Sequence, residues 1–340
     1  MQFRYYDNTR LSQFKTCPRS YYFRHVRNWR REGTNPAFAF GIAWHSAMDV
    51  VWGMLGASIE NKRPSDEVAA LAYHRFCESW KEEGYKLEHE MTPEELDDMM
   101  PRTPMIAAEM IANYVEHRRE FISRSEVISI EQPFAVDLWG GVSSYGALIR
   151  YIGRLDKVVR KDARISVIEH KTTTSYQGRA PNHTFKYDYL EQWSPNSQVD
   201  GYLYSTHMLY GQSVKNVLVD AALVHKQCHD QFKFIPVERM LEQLDGWLID
   251  ARYWVSRVED ELNVLSKSRL DDDPVMTAFP KNTNSCFGMY GQKCTYHDLC
   301  KFWVNPEKET LPVGFIEEEW NPFDLLEINK LGLEPETKVE

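Results

Sequence analysis

The sequence predicts an α/β fold in which helices flank a mixed central sheet. Three observations carry this. Strand-like segments follow a helical N-terminal third in the order helix, three strands, helix, strand, a layout that builds sheets with helices on their faces. Residues 37–55 are apolar nearly all round, the mark of a buried helix, and 238–265 carry a long amphipathic stripe. An apolar fraction of 43% with 26% charged residues belongs to an ordinary globular chain.

In chain order, Thr9 can cap a short helix and Pro18 suits the first turn of the next. "AFAFGIAWHSAMDVVWGML" (37–55) is the buried helix, with His45 its conspicuous polar residue. Residues 66–123 read as further helices broken at Pro93, Pro101 and Pro104, a helical insertion over about 56–125. Strands follow at 126–138, 146–160 and 164–170, then a helix at about 190–210 and strands at 214–225 and 231–237. Residues 268–275 read as a linker to a cysteine-rich segment (280–303). The acidic residues 307–340 read as a loosely held tail behind a single domain of residues 1–306.

Composition narrows the classes. No run of about 18 apolar residues is present, so no membrane span is expected. The first residues have no apolar segment behind a basic stub, so no secretory signal is expected and the cytoplasm is the default. The net charge of −10 is uneven: residues 307–340 hold ten acidic and three basic side chains. Residues 1–31 hold eight Lys/Arg and one acid, interleaved with Tyr5, Tyr6, Tyr21, Tyr22, Phe23 and Trp29. Such a segment suits phosphates and unstacked bases, with Arg19, Tyr22 and Arg24 as candidate contacts; a solvated helix face with aromatic core anchors is the alternative. Of six cysteines, Cys77 fits a buried small hydrophobe, and Cys228 has no evident role. Cys286, Cys294 and Cys300 fall within fifteen residues among Gly, Tyr and Lys, which points to metal ligands.

Glu-x-Lys occurs at 60–62, 169–171 and 336–338, but only Glu169 and Lys171 follow an apolar run, Ile165-Ser166-Val167-Ile168. In a strand the two side chains share a face, at the end of an otherwise buried segment. Buried charge is costly unless it is paired or binds a metal. Asp156 lies on the preceding strand, with twelve residues between it and Glu169, so a tight hairpin brings both acids to one sheet edge. Paired carboxylates suit Mg²⁺ or Mn²⁺, which lower the pKa of bound water and neutralise a scissile phosphate. Lys171 is placed to orient or deprotonate the attacking water, Thr172, Thr173, Thr174 and Ser175 offer hydroxyls, and His45 would complete the metal shell.

The order His45, Asp156, Glu169-x-Lys171, Gln198-x-x-x-Tyr202 resembles the PD-(D/E)XK nuclease superfamily. "LSQFKTCPRSYYFRHV", "AFGIAWHSAMD" and "QVDGYLYSTHMLYG" are similar to signature stretches of its RecB-like branch, which includes the CRISPR-associated exonucleases; the resemblance spans residues 9 to about 302. It implies a restriction-endonuclease-like sheet. It also implies metal ligation by His45, Asp156, Glu169 and the His170 carbonyl, a catalytic Lys171, and Gln198 and Tyr202 contacting DNA or bracing the site. Glu131, in "SIEQPF", would be a supporting acid. The branch further implies a 4Fe-4S cluster on Cys17, Cys286, Cys294 and Cys300, closing the C-terminal segment onto the N-terminal helices. Here seven residues separate Cys286 from Cys294 where the branch more often has two, and Gly291 stands where a cysteine is expected; zinc is the alternative. The implied function is metal-dependent exonucleolysis of single-stranded ends in DNA recombination, repair or CRISPR adaptation, with single-stranded DNA or duplex ends as the partner. The alternative is a DNA-binding subunit of those processes with little turnover. The acidic tail, with "WNPFDLLEINKLG" (320–332), is a candidate docking segment for a protein partner.

Overall fold

The computed structural model describes residues 2–33, 35–57, 63–179, 183–269, 273–288 and 291–326. The elements run β1 (Gln2–Tyr6), α1 (Asn8–Thr16), α2 (Pro18–Tyr21), β2 (Trp29–Arg31), α3 (Pro36–Leu55), α4 (Ser65–Glu82), α5 (Pro93–Met99) and α6 (Pro104–Ser123). There follow β3 (Glu126–Val142), β4 (Ala147–Lys161), β5 (Arg164–Thr173), β6 (Tyr176–Gln177), β7 (Thr184–Phe185), α7 (Tyr187–Glu191) and α8 (Ser197–Tyr210). Last come β8 (Val214–Leu223), β9 (Phe232–Val237), α9 (Leu241–Leu265), α10 (His297–Phe302), β10 (Phe315–Glu317) and α11 (Phe323–Leu326). The chain forms two compact units, one of residues 35–133 and 154–240, the other of residues 2–33, 134–153 and 241–326.

In the first unit the chain reverses between β4 and β5 through Asp162 (φ 50°) and Ala163 (φ 62°). Two consecutive left-handed residues match the twist of a two-residue hairpin, and they fix the register from Lys161 opposite Arg164 to Lys157 opposite Ile168. β5 then pairs in parallel with β8, setting Glu169, His170 and Lys171 beside Val219, Asp220 and Ala221, and β9 returns antiparallel to β8. One face packs against α3, α4 and α6, with Phe40, Trp44, Trp52, Phe76, Trp80 and Tyr114 meeting Val159, Ile168 and Ala222. On the other face Ala221 and Leu223 pack with Phe185, Tyr189 and Leu190. The mixed sheet flanked by helices is thus present as the sequence predicts. The helix expected at 190–210 is two: Pro195 cannot continue α7, and Asn196 caps α8, its side chain accepting from the N–H groups of Gln198 and Val199.

In the second unit β1 lies parallel to residues 147–151 of β4. α9 buries Leu244, Trp247, Ala251, Val255 and Val258, a stripe at helical spacing. The segment expected to be a loose tail is held over much of its described length. β10 pairs antiparallel with β2, Glu318 accepts from Arg24 (2.9 Å) and Arg30 (2.6 Å), and Arg27 donates to the carbonyls of Pro306 (2.9 Å) and Glu309 (2.7 Å). The physical reason is mutual need: a short edge strand gains a ladder partner and three clustered arginines gain acceptors. Residues 327–340, and with them the second half of the 320–332 segment, lie outside the described residues, as do the Glu60/Lys62 and Glu336/Lys338 pairs. Among the described residues no helix is long and apolar enough to cross a membrane.

Candidate active site

The β4–β5 hairpin brings Asp156 beside the end of β5, where Asp156 Oδ2 accepts the backbone N–H of His170 at 2.8 Å. His45, on α3, places Nδ1 3.3 Å from the same oxygen. Glu131 of β3 joins them: one donor atom from each of His45, Glu131 and Asp156 lies within 4.8 Å of the others. Glu131 adopts a left-handed backbone (φ 54°), a conformation that costs a residue other than glycine and recurs at functional sites. On β5, Lys171 Nζ stands 2.5 Å from Glu169 Oε1. Gln198, one helical turn before Tyr202 on α8, donates to the same Glu169 oxygen (3.2 Å) and to the Tyr202 hydroxyl (2.9 Å). Glu169 Oε2 is buried and has no partner among the described residues.

The electrostatics follow from crowding three acids in low dielectric. Burial would raise Asp156, but His45 and the adjacent Lys157 ammonium hold it well below the usual carboxylate range. Glu169 is pushed up to about 7 by burial and by the charge on Asp156. Glu131 is pushed up to about 7 by burial, Asp156 and Asp49. Burial opposes the charged forms of His45 and Lys171, yet Asp156 for the first and Glu169 for the second raise both. Without metal, the negative charge concentrates on Asp156. The donor set, carboxylates with one imidazole and an unpartnered buried carboxylate oxygen, fits a divalent cation, which is what would let all three acids ionise together.

Behind this group lies a second buried layer that the sequence reading missed. Lys157, 0% exposed, reaches Asp49 Oδ1 at 2.6 Å. Asp220 accepts from Tyr114 (2.6 Å) and Arg118 (2.7 Å), and Trp52 Nε1 donates to the Tyr114 hydroxyl (3.0 Å). The His170 ring packs edge-on against Trp52, Tyr114 and His45, kept neutral by burial and by Lys157. The signals were present: Asp49 lies four residues after His45 on the same helix, and Asp220 interrupts the apolar run of β8.

The second unit holds the remaining candidates. Asn282 N–H points at Cys17 Sγ (3.4 Å), and Cys294 N–H donates to the Cys286 carbonyl (2.9 Å). Burial pushes the Cys300 thiol up to about 11, and Cys17 and Cys294 add to the rise while Lys281 and Arg19 oppose it. Cys294 is raised by burial, with Cys17 and Cys286 contributing. None of the four is in a disulfide. The DNA contacts expected of Arg19 and Tyr22 find no free surface. Arg19, 3% exposed, spends its guanidinium on the carbonyls of Phe279 (2.8 Å) and Ala278 (3.4 Å), and Tyr22 is 1% exposed. Arg24 is committed to Glu318. The C-terminal part of the unit covers these side chains.

An acid pair and a lysine thus lie around the end of β5, with a histidine and a further acid beside them. The family model of the PD-(D/E)XK nuclease superfamily matches residues 8–301, and the chain belongs to that superfamily: it is a nuclease by family. PD-(D/E)XK nucleases use divalent metals, and His45, Glu131 and Asp156 form a possible site for one. Among solved structures the chain is similar to a "Putative exonuclease" from Eubacterium rectale, at 12% identity and a TM-score of 0.34, over 59% of this chain and 70% of that one. No curated protein matches the sequence.

Proposed function

We propose that this nuclease is a divalent-metal-dependent deoxyribonuclease of the RecB-like branch, acting as an exonuclease on single-stranded ends. The observation that supports this most is the convergence of Asp156, Glu169 and Lys171 with His45 around the end of β5. His45, Asp156, Glu169 and the His170 carbonyl would hold the metal, with Glu131 alongside. A bound Mg²⁺ or Mn²⁺ supplies an activated water and neutralises charge on the scissile phosphate. The protein groups do the rest. Lys171, kept as an ammonium by Glu169, offsets the charge that develops as water adds to phosphorus and the P–O bond to the leaving oxygen breaks. Gln198, braced by Tyr202, fixes the Glu169 carboxylate through Oε1 and leaves Oε2 without a hydrogen-bond partner among the described residues. Asp156, already ionised through His45 and Lys157, needs no proton removed before use. Cys17, Cys286, Cys294 and Cys300 we assign to a 4Fe-4S cluster of structural role, with zinc as the rival occupant; their shared electrostatics support one site.

Labelled single-stranded DNA should be degraded with Mg²⁺ or Mn²⁺ and left intact with EDTA. Lys171→Ala and Asp156→Ala should each lose roughly a hundredfold or more in kcat, the scale of removing one preorganised charge, while still binding DNA. Full activity in either variant overturns the assignment. Binding without cleavage under every divalent metal points instead to a DNA-binding subunit.

A further inference from the structure

The chain leaving β5 runs through Thr174 and Ser175 into Tyr176, three to five residues beyond Lys171. At about 3.3 Å per residue it stays within roughly 10–17 Å of that lysine. Arg102, in the loop between α5 and α6, donates from Nη2 to Thr174 Oγ1 at 3.3 Å. That is the guanidinium's one hydrogen bond among the described residues, and no carboxylate there pairs with it. Two arginines of the same unit whose side chains are buried have acids: Arg118 has Asp220, and Arg239 has Asp200. Burial alone lowers the Arg102 pKa, with no acidic neighbour offsetting it. A partly desolvated cation with a fork of free donors, in a chain of net charge −10, is set for an anion that arrives from outside.

Tyr176 is the second, independent feature. Its ring is 40% exposed, yet its position is fixed: His225 (4.6 Å) and His183 (5.1 Å) meet it edge-on, and those imidazoles lie 4.1 Å apart. Val224 N–H donates to the Thr173 carbonyl at 2.8 Å, tying His225 to the same stretch of chain as Thr174. Exposed Arg179 lies nearby in sequence, and Lys226 lies 3.8 Å from Asp97, an acid 85% exposed. A braced, exposed ring two residues along the chain from the threonine that Arg102 touches offers what single strands use, a base on the ring and a phosphate on the charge.

We infer that Arg102 and Tyr176 guide the substrate strand: Arg102 grips a backbone phosphate and Tyr176 stacks a base, a few nucleotides from the bond cut at Glu169 and Lys171. The inference rests on the nuclease reading above and adds the path by which a single strand reaches the site. The probe is a fluorescent oligothymidylate, with binding followed by anisotropy in EDTA and cleavage followed in Mg²⁺. Arg102→Ala should raise KM about tenfold with kcat within twofold, and it should flatten the slope of log K against log salt by about 0.7, one phosphate contact on a single strand. Arg102→Lys should restore that slope. Tyr176→Ala should weaken binding from about fivefold to over a hundredfold, with the salt slope unchanged. Bis(p-nitrophenyl) phosphate, which has no neighbouring nucleotide, should be hydrolysed equally by wild type and both variants. If the wild type binds and the folded variants match it in affinity and salt slope, this inference alone is overturned. A wild type that binds no oligonucleotide overturns both this inference and the nuclease reading.

Discussion

Lys157 shows how a buried cation helps to hold a neighbouring acid in its charged form. It is fully buried, yet burial does not neutralise it, because Asp49, Asp156 and Glu131 together raise its pKa. Its ammonium is the fixed counter-charge that lets Asp156 stay ionised before a metal arrives. Lys157→Met should therefore leave buried carboxylates without a partner and destabilise the metal-free protein by roughly 3–5 kcal/mol, the cost of removing one member of a buried ion pair. Urea unfolding in EDTA tests this, and unfolding in Mg²⁺ should show a smaller loss, since a bound cation replaces part of the missing charge. An unchanged urea midpoint would mean that Lys157 only fills space. At this scale the sequence reveals the charged residues that break an apolar pattern: His45 on its helix, Glu169 and Lys171 at the end of their strand. It conceals Lys157, hidden as the neighbour of a more conspicuous acid. It also misleads about Arg19 and Tyr22, which look like surface chemistry until Phe279 and its neighbours cover them.

Elements were legible where their reasons were local. The β4–β5 hairpin follows from two apolar runs around Asp162 and Ala163, and α3 from nineteen residues with hardly a polar break. β1, β2 and β10 were not legible, since strands of three to five residues exist only because a distant partner supplies the ladder. β10 is the clearest case. Its partner β2 comes from the opposite end of the chain, and Glu318, just after it, gathers Arg24 and Arg30. Deleting residues 307–340 should strip β2 of its ladder, take Glu318 from Arg24 and Arg30, and take the Glu309 carbonyl from Arg27. The melting temperature should fall by several degrees, as a loss of about 1–2 kcal/mol does in a chain of ordinary size. Ending the chain after residue 318 should retain most of the stability. Neither truncation removes a residue of the candidate site, so metal-dependent cleavage at low temperature should persist in both. Equal melting of the full chain and the 307 truncation would show that β10 adds nothing.

Taken as a whole molecule, each unit keeps its chemistry to itself. The acids, His45 and Lys171 all belong to one unit, and Cys17, Cys286, Cys294 and Cys300 belong to the other, where Cys17 and Cys286 lie near opposite ends of the sequence. A metal group shared by those thiols would close a very long loop of chain. Its binding energy would then count as folding energy, because the ligand set does not exist in the unfolded state. Thiols raised by burial, as Cys294 and Cys300 are, give up their protons to a metal far more readily than to water. Anaerobically purified protein should therefore be brown, absorb broadly near about 400 nm and hold about four irons per chain, as one cubane cluster requires. Cys17→Ala and Cys294→Ala should lose the colour and unfold at lower temperature, with residual cleavage in the folded fraction, since neither residue belongs to the catalytic group. A colourless protein with one zinc would keep the staple and change its metal. Metal-free protein whose cysteine variants melt like the wild type would remove the staple, leaving Arg19 and the ring stack around Phe279 as what holds the two ends of that unit together.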